Sequence, residues 1–91
     1  MKIEELKRKL PMPELLYKLG HGTSANKVAL CPLHNDTRPS FGIYRNNKDQ
    51  WKCKCFSGCV SGDEVDFLQA KYNCSRRDAM QKYRELCGIP Y

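Results

Sequence analysis

Four side chains have the types and spacing to hold a metal ion. Cys31 and His34 are separated by two residues, and Cys55 and Cys59 by three. Structural zinc sites take four such ligands in a tetrahedron, usually as two local pairs about two to four residues apart. That spacing lets one tight turn aim two side chains at one point. Pro32 stiffens the first turn, and Gly58 is free to take an unusual dihedral in the second. The spacing predicts a closed Zn2+ site built from Cys31, His34, Cys55 and Cys59. Four protein ligands leave no open position for a substrate or an activated water. The expected role of the metal is structural, and no catalytic residue is expected.

A fifth candidate competes for the same site. Cys53 is separated from Cys55 by Lys54 alone and from Cys59 by five residues. Two residues apart on a strand, side chains point the same way but sit roughly 6.6 Å apart. That is wide for two sulfurs each about 2.3 Å from one zinc, although a bend can close it. Cys53 in place of Cys55 is therefore the rival ligand, and a buried apolar role beside Trp51 is its alternative. Cys74 and Cys87 are expected to pack in the helical third, and His21, between a glycine on either side, to lie on the surface.

These ligands need elements to position them. Ile3, Leu6 and Leu10 recur at helical spacing. Pro11 interrupts that helix, and Pro13 suits the first turn of a second one carrying Leu15, Leu16 and Leu19. Gly20 is a natural stop. Val28–Leu30 reads as a short strand. Phe41, Ile43 and Arg45 alternate with Gly42 and Tyr44, the residues 46–49 form a turn, and 50–54 return as a second strand. This hairpin brings the second ligand pair beside the first. It places Trp51 and Cys53 on one face and Lys52 and Lys54 on the other. Asp63 can cap a helix bearing Val65, Leu68 and Tyr72. Ser75, with Asp78 three residues on, starts another bearing Ala79, Tyr83 and Leu86. The expected fold is α+β: one domain over 1–91, with helices at about 2–19, a zinc-ribbon sheet at about 27–60 and helices at about 63–87.

Composition sets the class of partner. The 91 residues hold six cysteines and a formal charge of +6. A domain this short often needs a staple, and a metal can supply it. The N-terminus lacks a secretory signal and no run suits a membrane span, so a reducing, cytoplasmic setting is expected, where clustered cysteines bind metal rather than form disulfides. Three bound thiolates with one Zn2+ together remove one unit of charge, leaving a basic surface that suits an anionic partner.

Cys31-Pro32-Leu33-His34-Asn35-Asp36-Thr37-Arg38-Pro39-Ser40-Phe41 resembles the start of the N-terminal zinc-binding domain of bacterial-type DNA primases. WKCKCFSGCVSGDEVDF, from Trp51 to Phe67, and the closing helix ending Glu85-Leu86-Cys87-Gly88-Ile89 resemble the rest of that domain over about residues 12 to 89. The three-residue spacing of the second pair resembles the phage and mobile-element relatives, and Cys53 is an addition to the pattern. The resemblance implies a module that binds single-stranded DNA template and supports primer initiation. A primase catalytic domain and a replicative helicase are the protein partners it suggests, and a monomer is expected. A surface compatible with this role is offered by Lys27, Arg38, Tyr44, Arg45, Lys48, Lys52 and Lys54, with Tyr44 as a stacking platform for a base. Two other readings are a protein-docking ribbon, for which Leu6, Leu15 and Leu16 would be exposed, and a thiol redox switch through Cys53, Cys55 and Cys59.

Overall fold

A computed structural model describes residues 3–22, 25–26, 28–33 and 39–88. Among these run α1 (Ile3–Lys9), α2 (Met12–Lys18), β1 (Phe41–Arg45), β2 (Trp51–Cys55), β3 (Ser61–Gly62), α3 (Glu64–Tyr72) and α4 (Arg76–Leu86). The fold is α+β, an antiparallel ribbon flanked by helices from both ends of the sequence.

The helix ends follow from local chemistry. Glu4 and Glu5 occupy the first turn of α1 and Lys7, Arg8 and Lys9 the last, each favoured by the helix dipole. Pro11 is the N-cap of α2, and Pro13 sits within its first turn, where a missing N–H costs nothing. The helix closes in a Schellman motif. The His21 N–H donates to Leu16 O (2.7 Å), the Gly20 N–H to Tyr17 O (3.1 Å), and Gly20 takes φ 83°. Leu6, Leu15 and Leu16 are fully buried. The leucine face of the N-terminal helices is thus core, and the exposure that a docking role for it requires is absent.

The sheet has order β1-β2-β3 and is antiparallel throughout. Phe41 pairs with Cys55, Ile43 with Cys53 and Arg45 with Trp51, so the apolar alternates share a face. Asn46 fastens the connecting loop: its side-chain oxygen accepts from the Lys48 and Gln50 N–H groups at 2.9 and 3.0 Å. The strand expected at Val28–Leu30 is reduced to a single bridge, Ala29 to Phe41. The Ile43 N–H goes to Asn26 O (2.9 Å), one residue beyond the position a regular ladder from that bridge would use. On the other side the next ladder pair would join Cys31 to Pro39, and Pro39 has no N–H to donate.

The C-terminal helices seal the core. Asp63 and Asp66 form a reciprocal capping box at the start of α3, with Asp63 Oδ1 accepting from the Asp66 N–H at 3.0 Å and Asp66 Oδ2 from the Asp63 N–H at 2.9 Å. Burial raises the Asp63 carboxyl, but the Asp66 N–H and Lys7 Nζ at 2.9 Å outweigh it and hold it at about 2. Ser75 Oγ caps α4 by accepting from the Asp78 N–H at 3.2 Å. Tyr83 is fully buried and donates its hydroxyl to Leu10 O (2.7 Å), tying α4 to the end of α1. Phe67 packs edge-on to Phe41 with ring centres 6.2 Å apart. Tyr72, expected on the apolar side of α3, is instead exposed, and the Lys82 ammonium lies over its ring. Phe67, five residues earlier, fills the core.

Candidate metal centre and nucleic-acid face

Strand β2 ends on Cys55, and the next four residues fold back tightly. The Gly58 N–H donates to Cys55 O (2.9 Å), and Gly58 takes φ 89°, which a residue with a Cβ rarely adopts. The Cys55 N–H donates to Val60 O (2.9 Å), closing the loop and returning Cys59 alongside Cys55. Cys31 follows the Ala29–Phe41 bridge, which pins it to the same end of the sheet. The Sγ atoms of Cys31, Cys55 and Cys59 consequently lie within 4.8 Å of one another. Sulfurs about 2.3 Å from a tetrahedral zinc are about 3.8 Å apart, so small side-chain rotations close this trio on one ion. His34 lies outside the described residues, as do Lys27 and Arg38.

Electrostatics favour thiolate chemistry at this point. Burial raises the Cys55 thiol, but hydrogen bonds from the Cys59 N–H, Ser40 Oγ, the Ser57 N–H and Cys31 more than offset it and bring it to about 6. Ser40 Oγ is 3.7 Å from Cys55 Sγ. Cys31 is pushed up to about 12, mainly by burial, with the neighbouring Cys55 adding to it despite a backbone hydrogen bond from Leu33.

Cys53 stands apart from the trio. It is 0% exposed, pairs across the sheet with Ile43 and Gly62, and lies outside the cluster among the described residues. Burial, then the charges of Asp66, Glu64 and Asp63, push its thiol up to about 12. A neutral thiol in an apolar setting acts as a small hydrophobe. Cys53→Ala is expected to lower stability by about 1–2 kcal/mol through the cavity it leaves. Thermal unfolding of the zinc-loaded protein checks this; an unchanged midpoint contradicts a packing role.

The polar face of the ribbon carries the remaining candidates. Tyr44 pairs with Lys52 and Gly42 with Lys54, so Tyr44, Lys52 and Lys54 point to one side. Tyr44 is 44% exposed, Lys54 and Lys48 are exposed, and Lys52 is half-buried. Arg45 sits on the other face, in register with Trp51; its guanidinium is 5.2 Å from the indole centre and 3.1 Å from Asp49. Trp51 is only half-buried, at the rim of the core rather than inside it.

Three features of the surroundings depart from the sequence reading. Phe56 is 77% exposed in the turn between Cys55 and Cys59, with Lys54 Nζ 5.4 Å from its ring centre. Its place inside a ligand turn, which has no inward face, is the signal that could have found it. His21 is half-buried rather than at the surface, because the Schellman turn folds it back towards α3, where its Nε2 lies 2.8 Å from Lys71 Nζ. Burial and the Lys71 charge lower its pKa. Glu64, in the first turn of α3 where an acidic side chain is ordinarily solvated, is buried.

Comparison with known proteins agrees with this geometry. The family of the DnaG zinc ribbon, described as the CHC2 zinc finger, matches residues 2–91. The chain is 33% identical over 89 residues to a DNA primase of Thermotoga maritima, which covers 96% of this chain and 15% of that protein. It is 28% identical over 89 residues to a DNA primase of Lactococcus lactis subsp. lactis, and 30% identical over 90 residues to one of Mycoplasma genitalium; each match covers 96% of this chain and 14% of the relative. The chain thus spans about one seventh of the length of these relatives. No solved structure matches it. The cysteine trio at the end of the ribbon is the metal-binding feature such a zinc finger requires, and the chain belongs to the CHC2 zinc finger family of DnaG-type DNA primases.

Proposed function

We propose that residues 1–91 act as one zinc-binding primase module that holds a structural Zn2+ through Cys31, His34, Cys55 and Cys59 and binds single-stranded DNA template in support of primer initiation. The module is non-catalytic by itself and works in the cytoplasm as a monomer. It serves a primase catalytic domain or a replicative helicase. None of its described helices is long and apolar enough to cross a membrane.

One observation carries the DNA reading: the exposed Tyr44 stands opposite Lys52 and diagonal to Lys54 on a face of the ribbon that the core does not use. The lysines neutralise phosphates and the ring stacks on an unpaired base. Tyr44 also borders, with Pro13, Asn26 and Trp51, a groove of about 560 Å³, large enough for a base. Lys48 extends the basic surface at the hairpin turn, and Lys27, Arg38 and Arg45 complete the proposed contact set.

Binding to an unstructured oligonucleotide is expected to be micromolar or weaker and to fall steeply with salt. Lys52→Glu/Lys54→Glu is expected to weaken binding at least tenfold at low salt and to flatten the salt dependence by about 1.4 log units per decade, from about 0.7 per lost phosphate contact. Lys54→Glu alone guards against a folding effect at the half-buried Lys52. Tyr44→Ala is expected to cost about 1–3 kcal/mol of stacking. Fluorescence anisotropy at two salt concentrations measures all three. Equal binding by the charge-reversed proteins contradicts the assignment.

A further inference from the structure

Phe56 is the most exposed of the large apolar side chains among the described residues, at 77%. It lies in the turn between Cys55 and Cys59 and takes no part in the core. One exposed ring by itself needs no explanation, but this one is not isolated.

The antiparallel ladder places it. The Asn46 N–H donates to Gln50 O (2.9 Å) at one end of the hairpin and the Phe56 N–H to Ser40 O (2.7 Å) at the other. The pairing thus continues one step past Cys55 and sets Phe56 opposite Ser40. Lys52, Lys54 and Phe56 are therefore alternate residues on one face, which Tyr44 also occupies. The ring centre is 5.4 Å from Lys54 Nζ, so the ring lies on that side of the ribbon. Ala29 is buried opposite Phe41, and its neighbours Val28 and Leu30 are 70% and 51% exposed. This end of the face is thus apolar as well as cationic. Among its described strand residues none is acidic.

An unpaired nucleotide uses both properties. Its base offers a π-face to the ring, and its phosphate pairs with Lys54. The same combination of ring and ammonium recurs where Tyr44 stands opposite Lys52, so Phe56 continues the proposed DNA surface rather than starting another. The spacing of the rings adds a constraint. Phe56 lies four residues along the strand from Lys52, the partner of Tyr44, which is about 13 Å at the rise of a strand. That is about four times the 3.4 Å step between bases stacked in a strand. Bases held by the two rings are therefore not stacked on each other. We infer that Phe56 is a second stacking platform: one DNA strand crosses the ribbon from the hairpin turn to the metal turn, with one base on Tyr44, another on Phe56 and its backbone over Lys54. The inference rests on the DNA reading of this face and adds to it a contact from the metal turn and a path for the strand.

The zinc-loaded chain is titrated with an oligothymidylate of about eight nucleotides, within the usual range of such sites, and anisotropy is read at two salt concentrations. Phe56→Ala is expected to weaken binding at least fivefold without changing the salt dependence, because stacking releases no counterions. Lys54→Glu is expected to change both. Phe56→Tyr should stay within about twofold of the parent and Phe56→Leu should lose as much as Phe56→Ala, since the ring rather than its apolar bulk is required. The losses of Phe56→Ala and Tyr44→Ala should multiply in the double variant, as befits sites this far apart. In NMR of the parent protein, which depends on no variant folding, the Phe56 ring protons are expected to move upfield as the oligonucleotide saturates. Unmoved ring protons, or Phe56→Ala or Phe56→Leu binding as the parent does, overturn the inference. The DNA reading itself survives that result as long as Lys52→Glu/Lys54→Glu still weakens binding. No binding by the parent protein overturns both.

Discussion

Removal of zinc is expected to unfold the protein. The trio of Cys31, Cys55 and Cys59 joins the segment before β1 to the turn between β2 and β3. Among the described residues the segment preceding β1 holds to the sheet through the Ala29–Phe41 bridge and two single hydrogen bonds, from the Ile43 N–H to Asn26 O and from the Phe56 N–H to Ser40 O, and β3 is two residues long. Few backbone hydrogen bonds thus fix this end of the ribbon without a metal. Structural zinc in small folds has an apparent binding free energy of about 10–16 kcal/mol, against a total stability of roughly 5–15 kcal/mol for a native domain. Loss of the ion therefore removes a contribution as large as the whole stability of a typical domain. Chelation followed by amide NMR is expected to collapse the dispersion of β1, β2 and β3, with the helical signal falling as the sheet ceases to cover Phe67 and Leu68. A spectrum that survives chelation contradicts a structural role.

The second large effect is expected at Gly62. This residue takes φ 141°, a region that residues with a Cβ rarely adopt. A Cβ there would be driven onto the Asp66 carboxylate, meeting Oδ2 and lying 2.6 Å from Cγ. Asp66 has little room to yield, because its Oδ2 accepts from the Asp63 N–H and completes the capping box. Displacing it also loosens Asp63, which anchors Lys7 of α1. Backbone strain costs about 1–3 kcal/mol and a lost cap about 0.5–2 kcal/mol. Gly62→Ala is thus expected to lose roughly 2–4 kcal/mol, a fall in melting midpoint of about 10–30 °C for a chain of this size. Ser61→Ala, next to it and exposed, is expected to stay within about 0.5 kcal/mol of the parent. Calorimetry of the three proteins decides the point: an unchanged midpoint for Gly62→Ala contradicts the packing described. The Gly-Asp pair, met first as part of a family pattern, acquires a physical reason here. The glycine makes room for the cap that the aspartate starts.

Much of this was legible in the sequence because the signals were local. Gly20, Asp63 and Ser75 mark helix ends by chemistry confined to a few residues, and all three act as expected. Residues 41–55 alternate cleanly, so the hairpin and its register follow from period two. Spacing singled out Cys31, Cys55 and Cys59, which the fold brings together. What stayed hidden depends on contacts distant in sequence. Val28–Leu30 has the composition of a strand, yet its pairing is broken by a register step at Asn26. β3 is too short to show any period. Glu64 has the sequence character of a solvated first-turn acid, and only the packing of α1 and the hairpin over α3 buries it. Cys53 and Cys55 share a face of one strand, so spacing leaves both as rivals. The turn beyond Cys55 separates them by bringing Cys59 and Cys31 to Cys55 and leaving Cys53 between Ile43 and Gly62.

Zinc content per chain in single-residue variants tests the central claim most directly. Purified parent protein is expected to carry one zinc, and Cys53→Ser to retain it in full. Cys31→Ser, Cys55→Ser, Cys59→Ser and His34→Ala are each expected to lose most of it after exchange against a competing chelator. A protein in which Cys53→Ser sheds the metal while Cys55→Ser keeps it would contradict the account.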